Sequence, residues 1–223
     1  MKKTLFALLM VALAVSSCGT ARYYAGFTPA SAGQDMALLG PVSGIFYLDE
    51  KNVESFSDSL SLESEELIAG MLSQINAPVS SRIELDDQEK DEVAAFMNYL
   101  KGYNQKQIGD LPIPEPLDFL LEAEGQRYGL IVFSQGMTRD RKGYVKEAVK
   151  GAAMGIATAI LSLGMISVYS APIRNASHIY TAIIDSEEDR IVFYNQSTPE
   201  ESDPFKPEAV RKQLSKLLKD FIE

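Results

Sequence analysis

Two residues in this chain have side chains suited to chemistry that few other groups can do. Among 223 residues there is one cysteine, Cys18, and one histidine, His178. A lone cysteine forbids a disulfide within one chain, and one cysteine with one histidine excludes the clustered sets that hold zinc. An all-carboxylate set is the only metal option left. The acidic run Glu84, Asp86, Asp87, Glu89, Asp91 and Glu92 lacks the D-x-D-x-D-G spacing and turn glycine of a calcium loop. It reads better as the capped, solvated start of a helix. His178 has the side chain of a general base, but a base needs a nucleophile. No G-x-S-x-G elbow is present, and Ser134, in Phe-Ser-Gln-Gly, lacks the preceding glycine. No P-loop and no G-x-G-x-x-G occurs. Paired carboxylates for glycoside cleavage are defined by a spatial separation that sequence does not give. No catalytic residue, metal ligand or cofactor is therefore assigned, and His178 is expected to be structural.

Cys18 sits in a distinctive context. Lys2 and Lys3 are followed by an apolar run from Thr4 to Val15, then by Ser16, Ser17, Cys18 and Gly19. The run is too short to span a bilayer comfortably and has the order of a secretory signal. Val15 stands three places before the cysteine. The segment resembles the lipobox of bacterial lipoproteins. That resemblance implies that residues 1–17 are a signal peptide that is removed, that the Cys18 thiol is acylated, and that Cys18 becomes the mature N-terminus. Membrane lipid, reached through Cys18, is then the first partner. The implied location is the bacterial cell envelope, lipid-anchored. Gly19 rather than Asp after the cysteine matches outer-membrane sorting, on the periplasmic face, under the common Gram-negative rule. Removing residues 1–17 takes away two lysines and no acid, so the formal charge of −10 becomes −12. Such a chain repels phosphate backbones, and no nucleic-acid partner is expected.

The elements that would position these residues can be read from periodicity. Residues 18–42, acylated at their start and rich in Gly, Ala, Ser, Thr and Pro, read as a tether. Val42–Leu48 reads as a first strand and residues 49–60 as an acidic, serine-rich loop. Leu67, Ile68, Met71, Leu72 and Ile75 recur at three- and four-residue spacing, which predicts a helix over 62–75. Arg82–Leu85 is a short strand candidate. Asp86 with Glu89 three residues on forms a capping-box-like start for a helix ending at Gly102. Leu117, Leu120 and Leu121 predict one more short helix, stopped at Gly125. Tyr128–Ser134 reads as a buried strand. Ile179–Ile184 and Arg190–Asn195 read as a hairpin across five polar residues. A closing helix from about Pro207 carries Val210, Leu214, Leu217, Leu218 and Phe221 on one face, with lysines in its last turns. The expected fold class is α/β (α+β): a single domain over residues 43–223, with a small mixed sheet, a C-terminal hairpin and flanking helices.

An apolar insert at about 144–173 interrupts that scheme, and residues 151–173 carry no charge. One reading is a transmembrane helix, which length permits but the upstream Lys142, Lys146 and Lys150 oppose. A second is a helix docked within the protein. Ala148, Ala152, Gly155, Ala159 and Ser162 fall at 4-3-4-3 spacing, and such a stripe of small residues lets another helix approach closely. That face would meet either the protein's own core or a partner subunit. A third is a membrane-inserting hairpin, opposed by an alternation whose phase flips near Ile160 and Leu161. Docking within the chain's own core is favoured, with self-association next.

The runs RYGLIVFS (Arg127–Ser134) and IYTAIIDSEEDRIVFYNQS (Ile179–Ser197) and the final helix resemble the second half of TolB N-terminal-like α/β domains. In those domains a hairpin's first strand ends in an Asp before a polar turn, as Asp185 does before Ser186–Asp189. Envelope lipoproteins of the curli secretion channel type use similar domains. With no catalytic signature in the chain, the expected function is a non-enzymatic module that binds, or assembles with, an envelope protein or cell-wall component. Tyr23 and Tyr24, close to Cys18, have rings suited to the headgroup level, or equally read as ordinary tether residues. One alternative is an oligomeric secretion or channel-type assembly using the insert. Another is a cell-wall hydrolase with His178 or paired carboxylates in a cleft.

Overall fold

Strand-forming runs that alternate between two apolar faces need cover on both sides, and this chain supplies helices for each face. The computed structural model describes residues 21–24, 26–32, 36–51, 53–104, 106–142, 144 and 173–222. In chain order these give β1 (Arg22–Tyr23), α1 (Pro29–Ala32), β2 (Met36–Leu48), β3 (Glu54–Phe56), α2 (Asp58–Gln74), β4 (Val79–Ile83) and α3 (Asp87–Lys101). A 3-10 turn (Ile108–Asp110), α4 (Glu115–Ala123), β5 (Tyr128–Arg139), β6 (Asn175–Asp185), β7 (Arg190–Gln196) and α5 (Pro207–Leu217) follow. The strands form one mixed sheet in the order β1-β7-β6-β5-β2-β3, with β4 also paired to β2. β2 runs parallel to β5 and β4, and the remaining pairs are antiparallel. The expected α/β class, mixed sheet, C-terminal hairpin and single domain are all present.

Two cores follow from the alternation. Leu39, Ile131, Phe133, Ala182 and Ile184 face α3 and α4. Met36, Leu38, Leu130, Val132, Ile183 and Phe193 face α2 and α5. α3 begins as its sequence predicts. The Asp86 side chain accepts from the Glu89 N–H at 2.9 Å, and the Glu89 side chain accepts from the Asp86 N–H at 2.7 Å. Such a box contributes about 1 kcal/mol.

Three expectations need correction. The first strand begins at Met36 rather than Val42, and residues 22–23 already pair with β7. The stretch expected to be a tether therefore contributes Phe27, Ala32 and Met36–Val42 to the cores, and the 42/43 boundary cuts through a central strand. In sequence, Gly40 and Pro41 look like a linker. They form a bulge instead: Gly40 has φ +94°, and the register against β5 shifts between Leu39 and Val42. The expected loop 49–60 contains β3 and the start of α2, whose N-cap is Ser57. The short strand is Val79–Ile83 rather than 82–85, because it pairs with Met36–Leu39. Cys18 and the stripe Ala148, Ala152, Gly155, Ala159 and Ser162 lie outside the described residues, as does the insert from 151 to 172. Among the described residues no helix is long and apolar enough to cross a membrane.

Candidate functional site

The sheet pairs β2 with β4 along 36–39 and with β3 along 46–48, leaving a gap on the same edge between them. Backbone N–H groups buried in such a gap need acceptors. α2 supplies them. The Ser43 N–H donates to Glu65 Oε1 at 3.1 Å, and the Ile45 N–H donates to Ser61 Oγ at 3.0 Å. The Ser43 hydroxyl donates to Ser64 Oγ at 3.0 Å. Glu65, itself buried, takes Lys90 Nζ of α3 on its second oxygen at 2.8 Å. Side chains thus complete the strand edge and tie α2 to α3 around it.

Above this closure lies an open groove of about 670 Å³ between α2 and α3. Phe46 and Phe56, edge to face at 5.7 Å, give it an apolar wall, and Phe56 and Leu62 are half exposed. Asp58, Asp87 and Asp91 line it as well, with Lys90 already paired to Glu65. An apolar group carrying a positive charge is the ligand chemistry that such a wall and rim accept.

At the inner end of the groove, Asn98 and Gln135 border a buried polar cluster. His178 on β6 stands opposite Gln135 on β5. Its Nδ1 is 2.7 Å from the Tyr180 hydroxyl. Lys101, at the end of α3, donates to Gln135 Oε1 at 2.5 Å and to Asn98 Oδ1 at 2.7 Å, and lies 5.1 Å from the centre of the Tyr180 ring. Burial pushes the His178 imidazole down to about 4, and the nearby Lys101 charge acts in the same direction, while the Ser197 backbone offsets part of the shift. Burial also lowers Lys101 to about 8 and raises the Tyr180 phenol. The imidazole is therefore neutral at pH 7, and its hydroxyl partner is a phenol that resists ionisation.

Ser134 does not complete a catalytic pair. It precedes Gln135 on β5 and stands opposite Ile179, so its side chain points to the other face of the sheet from His178. Asp86 and Glu89 are engaged in the capping box. Among the described residues no three His, Cys, Asp or Glu side chains converge as a metal site would need. Asp185, nearly buried, accepts two hydrogen bonds from Arg127, at 3.0 and 2.9 Å, and one from the Glu187 N–H. It clamps the β6–β7 turn to the strand that precedes it.

No protein-family model matches the chain, and no curated protein matches it. Among solved structures, a variant of the PelC dodecamer from Paraburkholderia phytofirmans is similar at TM-score 0.43 and 10% identity, over 92% of this chain and 98% of that one. A second PelC dodecamer from the same organism gives 0.42 and 10%, over 92% and 97%. A DUF4136 family protein from Bacteroides thetaiotaomicron gives 0.31 and 11%, over 91% and 95%. Scores at this level say nothing of what this chain binds.

The buried histidine makes a testable claim. Its folded pKa lies below the ordinary 6.5. Between pH 6.5 and 4 the unfolded chain therefore takes up a proton that the folded chain refuses, and stability falls as pH falls through that window. The loss is of the order of 3 kcal/mol once pH drops below the folded value. Urea denaturation at pH 7 and pH 4 is expected to show this loss in the wild type and a correspondingly smaller one in His178→Leu. Equal losses in the two proteins would contradict the assignment.

Sequence reading singled out His178 but missed Lys101, Gln135 and Tyr180 around it. It also missed Ser61, Ser64 and Glu65. Their signal was present: they continue the buried helical positions Ile68, Met71 and Leu72, so three polar residues sit on an otherwise apolar face.

Proposed function

We propose that the protein is a membrane-anchored, non-enzymatic envelope lipoprotein. Its α/β domain binds another envelope component in the groove between α2 and α3. The observation that carries the anchor is the ordered series Lys2, Lys3, the apolar run to Val15, and Ser16-Ser17-Cys18-Gly19. Acylation of Cys18 with more than one chain makes anchoring stable, because a single chain holds only marginally. Support for a binding role comes from the groove, with its exposed Phe56 and Leu62 beside Asp58, Asp87 and Asp91. The nearby His178 cluster holds a neutral base against the Tyr180 phenol.

Membrane fractionation tests the anchor. Cys18→Ser is expected to leave the membrane pellet or to accumulate unprocessed, and normal retention of the mature variant would contradict the reading. A photoreactive residue at Leu62 tests the groove. It is expected to capture a discrete envelope species that the same probe at Glu122, on the opposite face of the sheet, does not.

A second reading rests on the charge-free segment 151–173, which would serve self-association. Light scattering in mild detergent, with and without residues 151–171, distinguishes the two: a defined oligomer that collapses on deletion favours assembly.

A further inference from the structure

Four Cα steps separate Cys18 from Arg22, the first residue paired in the sheet. At about 3.5 Å per residue, that chain reaches at most about 14 Å. The start of β1 is firmly held. Arg22 and Tyr23 pair with Tyr194 and Phe193, and the Tyr24 N–H donates to the Val192 carbonyl at 2.9 Å. Tyr23 also reaches the end of the chain. Its hydroxyl donates to Asp220 at 2.7 Å, and its ring lies 5.1 Å from Phe193 and 6.2 Å from Phe221. An anchor at Cys18 would therefore hold the β1 edge and the adjoining end of α5 against the bilayer.

The charge on that region is opposite to that of the molecule. The chain is net −10, and α3 and α4 display Asp87, Asp91, Glu115 and Glu122 to solvent. The outer face of α5 and the residues just after it display Arg211, Lys212, Lys216 and Lys219 against Glu208 and Asp220, with Arg22 exposed on β1. Basic residues within a Debye length of an anionic surface are drawn to it, and that length is about 10 Å at 0.1 M salt. The reach of the tether is of the same order.

We infer that the α5–β1 edge, through Arg211, Lys212, Lys216, Lys219 and Arg22, docks on anionic lipid headgroups. This orientation turns the acidic α3–α4 side away from the membrane. The inference rests on the lipid anchor at Cys18.

The test uses the full acylated protein in vesicles of phosphatidylcholine and phosphatidylglycerol. Because Cys18 is the only native cysteine, a fluorophore placed through Lys216→Cys or Glu122→Cys reports one position, and a headgroup spin label quenches it. Quenching is expected to be severalfold stronger at 216 than at 122. It is expected to fall toward the 122 level in 1 M salt, or when Arg211→Glu, Lys212→Glu and Lys219→Glu are combined. Equal quenching at both sites, or strong quenching at 216 that neither salt nor charge reversal weakens, would overturn the docking. Co-flotation with the vesicles in 1 M salt separates the two claims. Loss of flotation sinks the anchor and the docking together, whereas retained flotation with equal quenching sinks the docking alone.

Discussion

Phe193→Ala is expected to destabilise the folded state by about 4 kcal/mol, the range for removing a buried phenyl ring whose site collapses only partly. Phe193 is fully buried on β7. Its ring meets Phe221 edge to face at 4.9 Å and Tyr23 at 5.1 Å. The side chain therefore does two things at once: it fills the core under α5, and it seats the short β1 strand that leads back to Cys18. A two-residue strand has few hydrogen bonds of its own, so its position depends on that packing. Urea denaturation gives the stability change as a shifted midpoint at unchanged slope. Phe193→Leu keeps most of the apolar surface and is expected to cost much less. A change below about 1 kcal/mol for Phe193→Ala would mean that the aromatic cluster is not packed as described.

Glu65→Ala is expected to cost about 3 kcal/mol, because it strands two partners. The Ser43 N–H loses its acceptor in a buried position, and Lys90, whose side chain is 26% exposed, loses its counter-charge. The partial exposure of Lys90 means that water screens its half of the interaction, so the orphaned N–H dominates. Glu65→Gln separates the two effects. It keeps a carbonyl acceptor for Ser43 and removes the charge, and a clearly smaller loss, about 1 kcal/mol, is expected. If Glu65→Ala and Glu65→Gln cost the same, the strand-edge closure is wrong and the ion pair is what matters.

Local rules were sufficient to locate most elements. The capping box at Asp86, the apolar stripe of α2 from Leu67 on, the buried run Tyr128–Ser134, the hairpin around Ser186–Asp189 and the start of α5 at Pro207 all appear where periodicity and capping place them. These features rest on neighbours only a few residues apart along the chain. The failures are of another kind. β1 and the first half of β2 are strands because Tyr194, Phe193 and the Tyr128–Ile131 stretch lie beside them, and those partners are about ninety residues away or more. Gly40 and Pro41 then disguised a bulge as a linker. The site was legible only in part. His178 was visible as a singular residue, yet its meaning depends on Tyr180, Gln135 and Lys101, which strand register and the end of α3 bring to it. The same register shows why Ser134 is not its partner, since adjacent positions on a strand point to opposite faces.

The intact mass of the purified, membrane-extracted protein reads the anchor at Cys18 directly. The expected result is a chain of residues 18–223 carrying added fatty acyl mass that maps to Cys18, and a Cys18→Ser protein without that addition. A mature chain of unmodified mass, or one that retains residues 1–17 while seated in the membrane, would contradict it.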